Sequence, residues 1–111
     1  MKRGDIYFAQ LDPTRGSEIR KTRPVVIVSN DIANRASSLV TVAPLSSNVA
    51  RVFLFEVAVS AAQSGLPKDS KAMAQQVRTI DKARLANARS GSLPAVQLAA
   101  LDAALRLHLA L

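Results

Sequence analysis

The sequence predicts a β-rich α+β fold: a small, strongly curved barrel of about five or more strands with short helices, closed by a C-terminal helix. Three observations predict it. Short β-branched and aromatic runs are separated by turn formers, the connections between them are irregular, and the tail repeats leucine at helical spacing.

The first strand is DIYFAQL, residues 5–11, ended by the DPTRG turn. Pro24 then opens VVIVS, a continuous apolar run of the kind buried on both faces, with proline tolerated at a strand's first residue. DIANRA makes one helical turn with Asp31 near its cap, and SLVTVAPLS is a strand ending at Ser46 and Ser47. Residues 48–51 form a polar connection before VFLFEVAV, a strand whose one charge is Glu56. QSGLPKD is a loop. In SKAMAQQVRTI, Val77, Thr79 and Ile80 outweigh the helical preference of Ala, Met and Gln, which predicts one strand. Asp81 caps a short helix, DKARLA, which NARSGS breaks. Ser92 and Pro94 start the last helix, with Leu98, Leu101, Leu105 and Leu109 on one face. No repeat, low-complexity tract or linker intervenes, so residues 1–111 read as one domain.

At 111 residues and 49% hydrophobic content the chain carries one core near the lower end of comfortable size, which oligomerisation would help. Without cysteine there is no disulfide framework or thiolate site, and a reducing cytoplasm is the expected compartment. Asp5 interrupts the N-terminus before any signal-peptide apolar run develops, and no stretch reaches the length of a membrane span. Fifteen Lys plus Arg against eight Asp plus Glu give a formal charge of +7, a field that attracts polyanions, with nucleic acid foremost. Arg15, Arg20, Lys21 and Arg23 concentrate that charge beside the Pro24 strand, opposed there by Glu18 alone.

Several chemistries are excluded. The single histidine, His108, lies among leucines on the last helix and reads as a packing or surface residue. The eight acids show no ligand spacing, so no metal and no other cofactor is expected. Phosphate-cradling glycine loops and GxSxG elbows are absent, leaving Ser46 and Ser47 without a base to activate them. What remains is Arg23, held between a basic loop and a stiff strand, with hydroxyls at the end of another strand. From spacing alone it reads equally as a strand-end charge.

KRGDIYFAQLDPTRGSE, RPVVIVSNDIANR and DSKAMAQQVRTIDKARL, in that order and spacing, resemble the MazF/PemK/Kid toxins of prokaryotic type II toxin–antitoxin pairs over nearly the whole chain. The resemblance implies an SH3-like barrel that forms a homodimer and cuts single-stranded RNA at short sequences without metal. It also implies silencing by a partner antitoxin, an acidic protein laid across the basic RNA groove. Carried over by position, the family's essential arginine falls on Arg23, its strand-end hydroxyl on Ser46, and the acid of its GSE motif on Glu18, beside Ser17. Where some relatives have an Asp before QxRTID, this chain has Gln75, and its Glu18–Thr22 loop lacks the glycine of many relatives and the histidine of some.

In the implied reaction the ribose 2′-OH attacks its own phosphorus, and Arg23, aided by Ser46, stabilises the charge that builds on the phosphate oxygens. Glu18 is the candidate acceptor of the 2′-OH proton; the alternative is a salt bridge to Arg20 or Lys21. Arg3, Lys21, Arg51 and Arg78 are candidates to hold phosphates, together with Ser17 and Ser47, although Arg78 equally suits a pairing with Asp81. Gln75, Gln76 and Asn48 are candidates to read base edges. Tyr7, Phe8, Phe53 and Phe55 are expected in strands and in the core, which limits base stacking. Two rivals stand beside this reading. A gyrase-poisoning toxin of the same fold relies on an aromatic C-terminus that RLHLAL lacks, and a nucleic-acid-binding module would cleave nothing.

Overall fold

The computed structural model describes residues 1–19 and 21–111. Among them, seven strands form a curled antiparallel sheet: β1 (Asp5–Gln10), β2 (Thr22–Ile27), β3 (Leu39–Ser46), β4 (Glu56–Val59), β5 (Ser70–Met73), β6 (Arg78–Asp81) and β7 (Gly91–Ser92). Helices α1 (Asp31–Ala36) and α2 (Ala61–Ser64) and 3₁₀ turns at Ala74–Gln76 and Lys82–Arg84 connect them, and α3 (Ala95–Leu109) closes the fold. The strand order is β4-β5-β3-β2-β1-β7, with β6 also paired to β3. None of these helices is long and apolar enough to cross a membrane.

The centre of the sheet follows from the VVI run. Val26 packs with Ile6, Ala43, Leu45 and Leu101 on one face, while Val25 and Ile27 pack with Leu11, Val40, Val42 and Ile80 on the other. Burial on both faces explains why the run shows no polar alternation, and each such side chain contributes about 1.5–3 kcal/mol of transfer free energy. The strand begins at Thr22 rather than at Pro24. Pro24 faces Phe8 of β1, and the β2–β3 pairing starts only at Val25, so the missing amide falls where that ladder has ended.

Residues 70–80 are two strands, not one. Ser46 and Leu45 pair with β5, Val42 to Leu39 pair with β6, and the turn at Ala74–Gln76 is inserted between them along one edge of β3. Nor is VFLFEVAV a strand throughout. The Phe53 amide donates to the Glu56 carboxylate at 2.9 Å and the Glu56 amide to the Phe53 carbonyl at 3.0 Å, closing a turn ahead of β4. Phe53 is therefore 53% exposed, outside the core expected for it, and Leu54 is 81% exposed.

On α3, Leu101 is buried and Leu98 and Leu105 pack on the first cluster, whereas Leu109 is exposed. The cap of α1 is Asn30, which accepts the Ala33 amide, and Asp31 follows it as the first helical residue. Asp81 does cap its segment, which is a 3₁₀ turn and not an α-helix. Helix α2, capped by Ser60, and the short β7 were not expected; QSGLPKD is thus helical as far as Ser64.

Candidate active site

Val25 on β2 faces Pro44 on β3, and Ser46 on β3 faces Lys71 on β5. The β2–β3 ladder ends at Val25–Pro44, so Arg23 and Ser46 each lie two residues beyond its last pair, Arg23 opposite Ala9 of β1 and Ser46 opposite Lys71 of β5. Side chains two apart on a strand share a face, so alternation assigns Arg23, Ser46 and Lys71 to one face as a candidate row, in which Ser46 and Lys71 are ladder partners and Arg23 stands beyond the end of the β2–β3 ladder. It lies on the face that carries Val25 and Ile27, where that face passes from apolar core to polar rim. Arg23 and Ser46 are both half-buried.

Lys71 is buried, and so is its partner Glu56. The Lys71 ammonium lies 3.0 Å from one Glu56 oxygen and donates to the Arg51 carbonyl at 2.9 Å. The other Glu56 oxygen accepts from Gln75 Nε2 at 2.8 Å. Because a carboxylate only accepts, this bond fixes the amide orientation, and Gln75 Oε1 is left buried without a partner. Burial pushes the Glu56 carboxyl up, but the Phe53 amide, the Gln75 amide and Lys71 more than offset it, so the group titrates below its ordinary range. Neither Lys71 nor Glu56 stood among the sequence candidates. The available signal was that each is the lone charge inside an apolar strand segment.

Beside the row, Ser17, Glu18 and Ile19 face Gln75 to Arg78 across a cleft of about 330 Å³. Gln76 Oε1 accepts the Ile19 amide at 2.7 Å, which docks the β1–β2 loop onto the 3₁₀ turn. Arg78 donates to the Leu11 carbonyl at 3.1 Å, and Arg84 to the Gln10 and Asp12 carbonyls at 3.1 and 2.7 Å, so two guanidiniums fasten the base of that loop. Arg78 is thus not paired with Asp81, whose carboxylate takes the Ala83 amide. Glu18 is exposed and accepts the Arg15 amide at 2.5 Å. No ion pair joins it to Lys21 among the described residues, and Arg20, the other expected partner, lies outside them. Lys21 adopts φ 70°, a left-handed conformation that costs a side-chain-bearing residue about 1–2 kcal/mol.

The remaining candidates are dispersed. Ser47 follows the end of β3 and borders a cavity of about 120 Å³ that Arg23 also lines, together with Phe8, Pro24, Leu45 and Lys68. Lys68 is a rim cation that the sequence reading passed over. Ser46 Oγ accepts the Asn48 amide at 3.2 Å, and Asn48 in turn accepts the Ala50 amide at 3.4 Å, which shapes the start of the β3–β4 loop. The Arg51 guanidinium stands 5.6 Å from the Phe53 ring centre. Arg3 is not brought to the row. It bonds Asp102 of α3 at 2.6 Å and the Val28 carbonyl at 2.8 Å, while its amide bonds Asp31 at 2.7 Å and lowers that carboxyl's pKa. His108 is exposed and meets the Phe55 ring edge-on, with centres 5.4 Å apart.

A curled antiparallel half-barrel closed by a C-terminal helix is the architecture of a class of small toxin domains. Residues 2–109 match the family described as PemK-like, MazF-like toxin of type II toxin–antitoxin system, and the chain belongs to that family. It is similar to endoribonuclease MazF9 of Mycobacterium tuberculosis, 47% identical over 98% of this chain and 96% of the relative. It is also similar to endoribonuclease EndoA of Bacillus subtilis, 39% identical over 100% and 96% of the two chains. Among solved structures, Mycobacterium tuberculosis toxin MazF-mt6 superposes with a TM-score of 0.81 and 32% identity, covering 96% of this chain and 97% of that one.

Proposed function

We propose that this protein is the endoribonuclease toxin of a type II toxin–antitoxin pair and cuts single-stranded RNA at short sequences without metal. The single observation that carries this reading is membership, over residues 2–109, of a toxin family whose curated relatives are endoribonucleases, and the strand alternation that assigns Arg23 and Ser46 to one face is in keeping with it.

The 2′-oxygen forms a bond to phosphorus as the bond to the 5′-oxygen breaks, giving a 2′,3′-cyclic phosphate and a 5′-hydroxyl. The 2′-OH proton leaves to a base, for which Glu18 is the candidate, and the departing 5′-oxygen takes up a proton. Arg23 donates to the non-bridging oxygens, where its bonds strengthen as charge accumulates, and Ser46 adds a second donor. Arginine stays protonated, so its part is electrostatic and not that of a base.

Lys21, Arg51, Arg78, Ser17 and Ser47 are proposed to hold the flanking phosphates; Arg3 joins them only by leaving Asp102. Gln75, Gln76 and Asn48 are proposed to read base edges. The protein is further proposed to be a cytoplasmic homodimer silenced by an acidic antitoxin segment in the basic groove. The net charge of +7 and the family's place in toxin–antitoxin pairs support that pairing. A single protomer mass by light scattering at micromolar concentration would remove the dimer.

The test is incubation with a long single-stranded RNA in EDTA. Discrete, reproducible cuts are expected from the wild type. No cleavage, with wild type and Arg23→Ala behaving alike, would leave a binding module instead.

A further inference from the structure

Phe53 is an aromatic ring held where an apolar side chain gains nothing from the core. It is 53% exposed in the β3–β4 loop, and its backbone is locked at both ends of the turn with Glu56. Two cations attend the ring, Arg51 and Lys71, each 5.6 Å from its centre. Lys71 is anchored from below by Glu56 and by the Arg51 carbonyl, and it lies directly across the ladder from Ser46. The buried ion pair therefore does more than fill the sheet edge. It holds a cation 5.6 Å from the centre of an exposed ring, one strand across from Ser46.

We infer that Phe53, with the Arg51 guanidinium against it, is a stacking platform for a nucleobase of the single strand next to the phosphate held by Arg23 and Ser46. This deepens the proposed function and rests on it. Single-stranded nucleic acid suits such a site because each nucleotide offers a flat π face for the ring and guanidinium and a phosphate for the cation. Lys71 is already neutralised by Glu56, which leaves Arg51 as the charge available to that phosphate. The ring makes the base contact, and Lys71 and Glu56 are positioning residues that act through it.

The chain has no tryptophan, so Phe53→Trp introduces a single indole whose fluorescence reports stacking directly. The probe is a mixed-sequence 2′-O-methyl oligonucleotide, which lacks the attacking hydroxyl, compared with an abasic oligomer of equal length and charge. Quenching by the base-bearing strand alone is expected. Phe53→Ala should raise the Kd for that strand about five- to hundredfold, and Phe53→Tyr should restore it. Equal quenching by the abasic oligomer, or no quenching, overturns the inference. So does an unchanged Kd in Phe53→Ala, with or without a fall in mass by light scattering; a fall would assign the ring to contact between copies. Because the probe cannot be cut, this result is independent of whether the wild type cleaves RNA.

Discussion

Lys71 sits across the β3–β5 ladder from Ser46, and its charge is met 3.0 Å away by Glu56. Burying a charge without its partner is costly. Lys71→Met should therefore destabilise the fold by about 3–5 kcal/mol. The double change Lys71→Met/Glu56→Gln should lose less than the sum of the single changes. Urea unfolding of the four proteins measures the coupling.

The same pair predicts an acid limb. The folded Glu56 carboxyl titrates below its ordinary value, whereas in the unfolded chain it titrates near about 4.3. Below the unfolded value the unfolded chain binds more protons than the native one, so stability falls as pH drops from about 4.3 through the folded pKa. Above about 4.3 this contribution is fully present. Urea midpoints across that range should slope more steeply in wild type than in Glu56→Gln.

Gly91 of β7 lies against the backbone of Ser64, where an added Cβ would stand 2.0 Å from the Ser64 carbonyl oxygen. Backbone on both sides cannot yield as a side chain would. Gly91→Ala should cost about 1–3 kcal/mol and loosen the β1–β7 edge, read as a lower thermal midpoint and faster amide exchange at Ile6 and Ser92.

Ser46 should tolerate Thr, which keeps the hydroxyl, better than Ala, which removes it. Loss of one donor to a developing oxyanion typically costs about a hundred- to thousandfold in rate. Single-turnover cleavage by Ser46→Ala should fall toward that range, while Ser46→Thr stays close to wild type.

The central strand and the last helix were legible because their signals are local: Val25, Val26 and Ile27 are apolar without alternation, and the leucines of α3 repeat at helical spacing. The break at Ala74–Gln76 was not legible, because AMAQQ contains neither Gly nor Pro. It arises from the need to serve two stretches of one β3 edge. Phe53 misled for a related reason. Its run looks like a strand, but the turn that expels it is made by the Glu56 carboxylate, a contact that propensity does not register. Arg23 and Ser46 became candidates through family motifs, and spacing alone left Arg23 ambiguous. Lys71 was missed because a lysine inside a short strand reads as solvated until the partner strand places Glu56 beneath it.

The most direct test compares wild type, Arg23→Lys and Arg23→Ala on one RNA in EDTA, with the chemistry of the new ends identified. Fragments ending in a 2′,3′-cyclic phosphate and beginning with a 5′-hydroxyl are predicted from wild type, with both variants slower by two or more orders of magnitude, since one ammonium cannot reproduce the guanidinium fork. Ends bearing a 5′-phosphate, or an Arg23→Ala enzyme as fast as wild type, would contradict it.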